Sequence, residues 1–141
     1  MAITEKLSKD SKPEIPMIIS VDDHLVEPPH LWQTWLPNKF KEKGPRIERR
    51  RLGEMLWVGG SKMYEYELDA PDAPWCDIWF YEDLVYPNKR HVAAVGFARE
   101  EMTMSPITYD EMRPGCYEPK ARVEDMISTH VEASLSFPTM P

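Results

Sequence analysis

Near its start the chain carries a short apolar run, Met17-Ile18-Ile19-Ser20-Val21, that ends in Asp22-Asp23-His24. Consecutive apolar residues point to both sides of an extended backbone, so the run reads as a strand covered on both faces, as in a parallel sheet. Far downstream, Val131, Ala133, Leu135 and Phe137 alternate with Glu132, Ser134 and Ser136, the signature of a second strand. Just before it, Pro119 suits a first helical turn, and Val123, Met126 and Ile127 fall at i, i+3 and i+4. That spacing predicts a helix of about three turns. A strand, a crossover and a second strand normally run parallel and right-handed. Two such strands alone leave open edges and apolar faces that the rest of an α/β sheet covers.

Between these elements the pattern is more broken. Pro28-Pro29 interrupts the chain, after which Leu31, Trp32, Trp35 and Leu36 recur at helical spacing until Pro37. A second short helical stretch follows from Asn38 to Lys43, and Gly44-Pro45 stops it. From Arg46 the period becomes two, and Gly59-Gly60 between two alternating runs predicts a β-hairpin. Residues 69–74 read as a loop, 75–86 as aromatic and acidic without clean periodicity, and 92–97 and 102–109 as short strands.

Composition narrows the class. With 141 residues the chain is too short for a complete (β/α)8 barrel of about 250. The 24 acidic and 17 basic residues give a net charge of −7, which provides no footprint for nucleic acid or anionic lipid, despite the local run Arg49-Arg50-Arg51. Fourteen prolines accompany five Trp, six Tyr and four Phe, so the chain reads as ordered and rich in loops rather than disordered. No apolar stretch resembles a membrane span or a secretory signal, which makes the expected location cytoplasmic. Cys76 and Cys116 are expected to be reduced and buried. Residues 1–15 are polar and aperiodic and read as a flexible arm.

Side chains two apart on a strand project to the same side, so Asp22 and His24 can reach one point while Asp23 faces elsewhere. A carboxylate and an imidazole at this spacing form half of a divalent metal site. Taken alone, the same tripeptide also suits a strand end followed by a hydrogen-bonded histidine.

The run Ile18-Ile19-Ser20-Val21-Asp22-Asp23-His24-Leu25-Val26-Glu27-Pro28-Pro29-His30-Leu31-Trp32, followed by Leu36-Pro37-Asn38-Lys39-Phe40 and Gly44-Pro45-Arg46, resembles the opening of the amidohydrolase-2 family. Arg113-Pro114-Gly115-Cys116-Tyr117, with Pro119, Arg122, Asp125 and Met126, and residues 131–139 resemble that family's approach to its second barrel strand. The resemblance implies an α/β fold: the amino-terminal part of a (β/α)8 TIM-barrel metal-dependent hydrolase. It would comprise a first strand, an insertion rich in β-hairpins at about 45–112, a helix and a second strand, without a closed barrel within residues 16–141.

Asp22 and His24 would then ligate a divalent ion, zinc first, with manganese or iron as alternatives. Arg113, Phe137 and Thr139 would border the substrate, and Glu27 would support the ligands from behind. The implied activity is hydrolysis or decarboxylation of a small carboxylated or cyclic substrate. The family's later histidine and aspartate ligands have no counterpart in these residues, so the isolated chain is expected to be inactive. The resemblance therefore points to a homo-oligomer or to association with a separately encoded remainder. The competing expectation is a non-catalytic interaction protein that binds a partner through its aromatic insertion, around Trp75, Trp79 and Phe80.

Overall fold

A computed structural model describes residues 15–58 and 63–139. Strand β1 (Ile18–Leu25) leads through two short helices, α1 (Leu31–Trp35) and α2 (Asn38–Lys41), to the long strand β2 (Arg46–Val58). Strands β3 (Met63–Leu68), β4 (Trp75–Tyr81) and β5 (Leu84–Pro87) follow, then 3₁₀ turns at Arg90–Ala93, Arg99–Glu101 and Pro114–Cys116. Helix α3 (Pro119–Ser128) and strand β6 (Val131–Pro138) complete the sequence of elements.

There are two sheets. β1 and β6 pair in parallel, with Ile18 opposite Val131 and His24 opposite Phe137. The larger sheet is antiparallel throughout, in the order β3-β2-β4-β5. β2 serves two partners in turn: Arg46 to Arg51 face β4, and the stretch from Leu52 onward faces β3, with an irregular register between Leu52 and Met55.

The expectation of the amino-terminal part of a (β/α)8 barrel is overturned. Such a barrel alternates parallel strands with substantial helices. Here the dominant sheet is antiparallel, parallel pairing is confined to β1 and β6, and the three α-helices among the described residues are short. The physical reason lies in residues 46–87, where apolar side chains pack around an antiparallel sheet of their own instead of covering the parallel pair.

One core, on one side of β4, is built from Leu52, Cys76 and Ile78 with Phe80 and Val85 against them. The other packs Val26, Ala93, Ile107, Tyr109, Met112 and Cys116, with Ile47, Phe97 and Tyr117 at its margin. β4 is buried on both faces, which is why Trp75 to Tyr81 shows no alternation in the sequence. Its hairpin to β5 turns at Glu82, whose φ of 48° is left-handed. Residues 92–97 form no strand; a 3₁₀ turn ends at Ala93 and Gly96 takes a φ of 97°. Residues 102–109 form no strand either, contributing only an isolated bridge between Lys89 and Pro106. The Gly59-Gly60 turn and residues 1–14 of the expected arm lie outside the described residues, although β2 and β3 do pair as a hairpin requires.

Both cysteines are free and buried. Burial pushes the Cys76 thiol up to about 11 and raises that of Cys116 as well, so both are neutral thiols near pH 7. The three consecutive arginines of β2 are engaged within the fold. Arg49 binds Asp77 and Asp110, Arg50 binds Asp69, and Arg51 donates to the Ala73 carbonyl at 2.6 Å.

Gly115 is the point of closest approach between its turn and α3. A Cβ there would run into the Asp125 carboxylate, which Arg113 grips through Nε and Nη2. Gly115→Ala is expected to lower the thermal midpoint by a few degrees, and Asp125→Ala, by clearing the space, should remove most of that difference. Equal losses in both backgrounds, followed by circular dichroism, would show that the contact is not the cause.

Candidate metal centre

β1 and β6 both end at the same side of the molecule because they run parallel, and the candidate site forms at their carboxyl ends. Between Ser20 and Asp23 two residues of β1, Val21 and Asp22, oppose the single Leu135 of β6, so the strand is bulged at the site itself. A bulge re-aims the side chains that follow it. Asp23 turns to α3 and β6, where Arg122 Nη2 lies 2.8 Å away and the Ser134 hydroxyl donates to its carboxylate. That hydroxyl, with the Arg122 charge, holds the Asp23 carboxyl below the ordinary carboxylate range.

Asp22 and His24 project away from that network and converge. Asp22 Oδ1 lies 3.5 Å from His24 Nε2, and the two side chains are 82% and 67% exposed. For a tetrahedral ion bound at about 2.0 to 2.2 Å by each atom, the oxygen-to-nitrogen separation is about 3.3 to 3.5 Å. The pair therefore has the spacing that a shared ion requires. Among the described residues no third histidine, cysteine, aspartate or glutamate joins them in a ligand group.

The other expected site residues divide. Phe137 is brought beside His24, with ring centroids 6.0 Å apart. Thr139 is tied to the end of β1: its hydroxyl donates to the Leu25 carbonyl at 2.6 Å, and its backbone N–H donates to Glu27 Oε1 at 2.8 Å. Glu27 is thus a buried carboxylate that fastens the end of β6 to the chain leaving β1. Arg113 is held by Asp125 and borders a cavity of about 380 Å³ that also includes Asp23 and Arg122. It serves as a clamp on α3 and is not brought to the Asp22 and His24 pair.

The aromatic residues of the insertion are largely structural. Trp79 is fully buried, Phe80 packs on the sheet core beneath the Arg46 and Arg50 guanidiniums, and Trp75 is half-exposed with Arg51 stacked 4.6 Å from its ring. His30 precedes α1, and His130 follows α3 in a left-handed conformation with φ of 59°.

Sequence reasoning missed several buried polar groups. Asp77 is 2% exposed and accepts both Arg49 bonds at 2.8 Å together with the Tyr109 N–H at 2.8 Å. Lys89 is buried, with its ammonium 3.2 Å from the Met55 sulfur and over the rings of Tyr64 and Tyr66. Burial pushes that ammonium below the usual lysine range. Nothing in local spacing announces either group, because their partners arrive from other strands.

No helix among the described residues is long and apolar enough to cross a membrane. No protein-family model matches the sequence, and the search of curated proteins finds no match.

Proposed function

We propose that the chain supplies an acidic-x-His pair, Asp22 and His24, to a divalent metal site used in hydrolysis or decarboxylation of a small carboxylated or cyclic substrate. The observation that carries this reading is the convergence of Asp22 Oδ1 and His24 Nε2 to 3.5 Å at the carboxyl ends of a parallel strand pair. The sequence resemblance to the amidohydrolase-2 family supports it. The ion, zinc first with manganese or iron as alternatives, supplies Lewis acidity toward a carboxyl or carbonyl group. Asp22 and His24 hold and orient it; Asp23, Ser134 and Arg122 fix the strand from the opposite side. Phe137 lies against His24 and limits how substrate approaches.

A catalytic zinc normally has three protein ligands and an open position, and two donors bind weakly. The remaining donors on this reading come from another polypeptide or a second copy, and the isolated chain turns over negligibly. The expected location is cytoplasmic.

Equilibrium dialysis against zinc, with metal counted by mass spectrometry, tests the pair. About one ion per chain is expected, and Asp22→Ala and His24→Ala should each weaken uptake by at least about tenfold. A wild-type chain that takes up no ion, or variants that bind as it does, would sink the proposal. The second reading, a non-catalytic partner-binding protein, is favoured by the uncovered apolar side chains Ile19, Val21, Ile127 and Leu135 on β1, α3 and β6. It gains if the protein is metal-free and both variants fold as the wild type does.

A further inference from the structure

The segment after β5 folds back on residues 103–106. Arg90 N–H donates to the Ser105 carbonyl at 2.9 Å, and His91 N–H to the Thr103 carbonyl at 3.1 Å. This places Arg90 and Ser105 together on the wall of a cavity of about 580 Å³, on the antiparallel sheet and apart from the metal pair. Its volume falls in the range of small-molecule sites, roughly 300 to 1,000 Å³.

The charged groups of this cavity are not equivalent. Arg49 is already paired with Asp77 and Asp110 through Nε and both Nη atoms. Glu111 is turned to its own turn, accepting from the Thr108 N–H at 2.9 Å and hydroxyl at 2.8 Å. Arg90 is different. Its side chain is 23% exposed, its guanidinium lies 4.7 Å from the centre of the Phe97 ring, and the nearest carboxylate, Glu101, stays at 3.7 Å.

Among the described residues no acceptor forms a hydrogen bond with the Arg90 guanidinium, and its Nε is a buried atom without a partner. The exposed part of the guanidinium, whose donors make no hydrogen bond within the fold, is open to an acceptor from outside. Ser105 offers a second donor, because its oxygen accepts the Thr103 hydroxyl at 2.7 Å and its own O–H is left to point elsewhere.

The walls add the other half of the recognition. Trp75 is half-exposed at the cavity, and the apolar rings of Pro74 and Pro106 line it. One planar cation held only at 3.7 Å by Glu101 suits one carboxylate, and Glu101 and Glu111 nearby disfavour a dianion. We propose that this cavity binds a small aromatic carboxylic acid, its carboxylate on Arg90 and Ser105 and its ring against Trp75.

Calorimetric titration of the full 141-residue chain with benzoate tests this, with benzamide and inorganic phosphate as the neutral and non-aromatic probes. Benzoate is expected to bind in the millimolar range or tighter, and benzamide and phosphate to bind more weakly. Arg90→Gln should weaken benzoate by about tenfold or more, the scale of a lost charge-assisted fork. Trp75→Ala and the exposed-site variant Ser105→Ala should weaken it several-fold, and circular dichroism establishes that each variant is folded. If Arg90→Gln does not fold, Ser105→Ala and the benzamide comparison still decide. Absence of benzoate binding, phosphate binding as tightly as benzoate, or benzoate affinity unchanged in the folded variants would overturn the proposal.

Discussion

Arg49→Ala is expected to destabilise the protein by about 3 kcal/mol, the lower end of what removing one partner of a buried ion pair costs. Asp77 is almost completely buried, and Arg49 closes both of its oxygens from the neighbouring strand. Without the guanidinium, the carboxylate keeps the Tyr109 N–H but loses its counter-charge. The lower end applies because the Arg49 side chain is 44% exposed, so water can partly take its place. Arg49→Ala paired with Asp77→Ala should recover part of the loss, since no charge then remains buried. Urea unfolding with an unchanged slope measures both, and an Arg49→Ala loss below about 0.5 kcal/mol, the range of ordinary surface substitutions, would refute the role assigned to the pair.

Trp79→Ala is expected to cost still more, about 3 to 5 kcal/mol, as full truncation of a buried indole does. Trp79 sits on β4 between Ile47 of β2 and Tyr86 of β5, and none of its surface reaches solvent. A domain of this size is typically stable by about 5 to 15 kcal/mol, so the truncation removes a large share of the total. Trp79→Phe keeps most of the apolar volume and should lose less. Denaturation midpoints that rank the two variants in the opposite order would show that packing volume is not what Trp79 contributes.

These two effects also mark what the sequence concealed. β1, α3 and β6 were legible as elements because each has a clear pattern and boundary: an apolar run ended by Asp22-Asp23-His24, a helical stripe after Pro119 and the Val131-to-Phe137 alternation, although β1 is largely exposed and not covered on both faces. The β2 and β3 runs were legible for the same reason. β4 was not, because burial of consecutive residues Cys76 to Trp79 erases alternation. Residues 92–97 carry the opposite lesson, since a short apolar run with a left-handed Gly96 can cover a core without extending into a strand. The fold class failed at a higher level. Two parallel strands and a preceding helix are compatible with several architectures, and the antiparallel sheet between them decides which one forms.

At the candidate site, the two-residue spacing of Asp22 and His24 was enough to place both on one side of β1. The bulge that includes Asp22 was not legible, because it depends on the register against β6. Glu27 and Thr139 meet across 112 residues, and Arg49 and Asp77 across 28, so both pairings are consequences of tertiary register. Arg113 was read as a substrate contact, whereas its carboxylate partner on α3, Asp125, arrives from another element and required coordinates.

The division of β2 between two partners, and the distance along the chain that separates β1 from β6, set an order of assembly. The antiparallel sheet joins segments that are near in sequence and closes small loops. Asp23 and Ser134, which meet across the parallel pair, are 111 residues apart. Loop-closure entropy makes such a contact unfavourable until the intervening chain has already been shortened by its own structure. Asp22 and His24 therefore stand on a strand whose ladder closes late, and any ligand that bridged the two would act on the final stage of folding rather than on its nucleus.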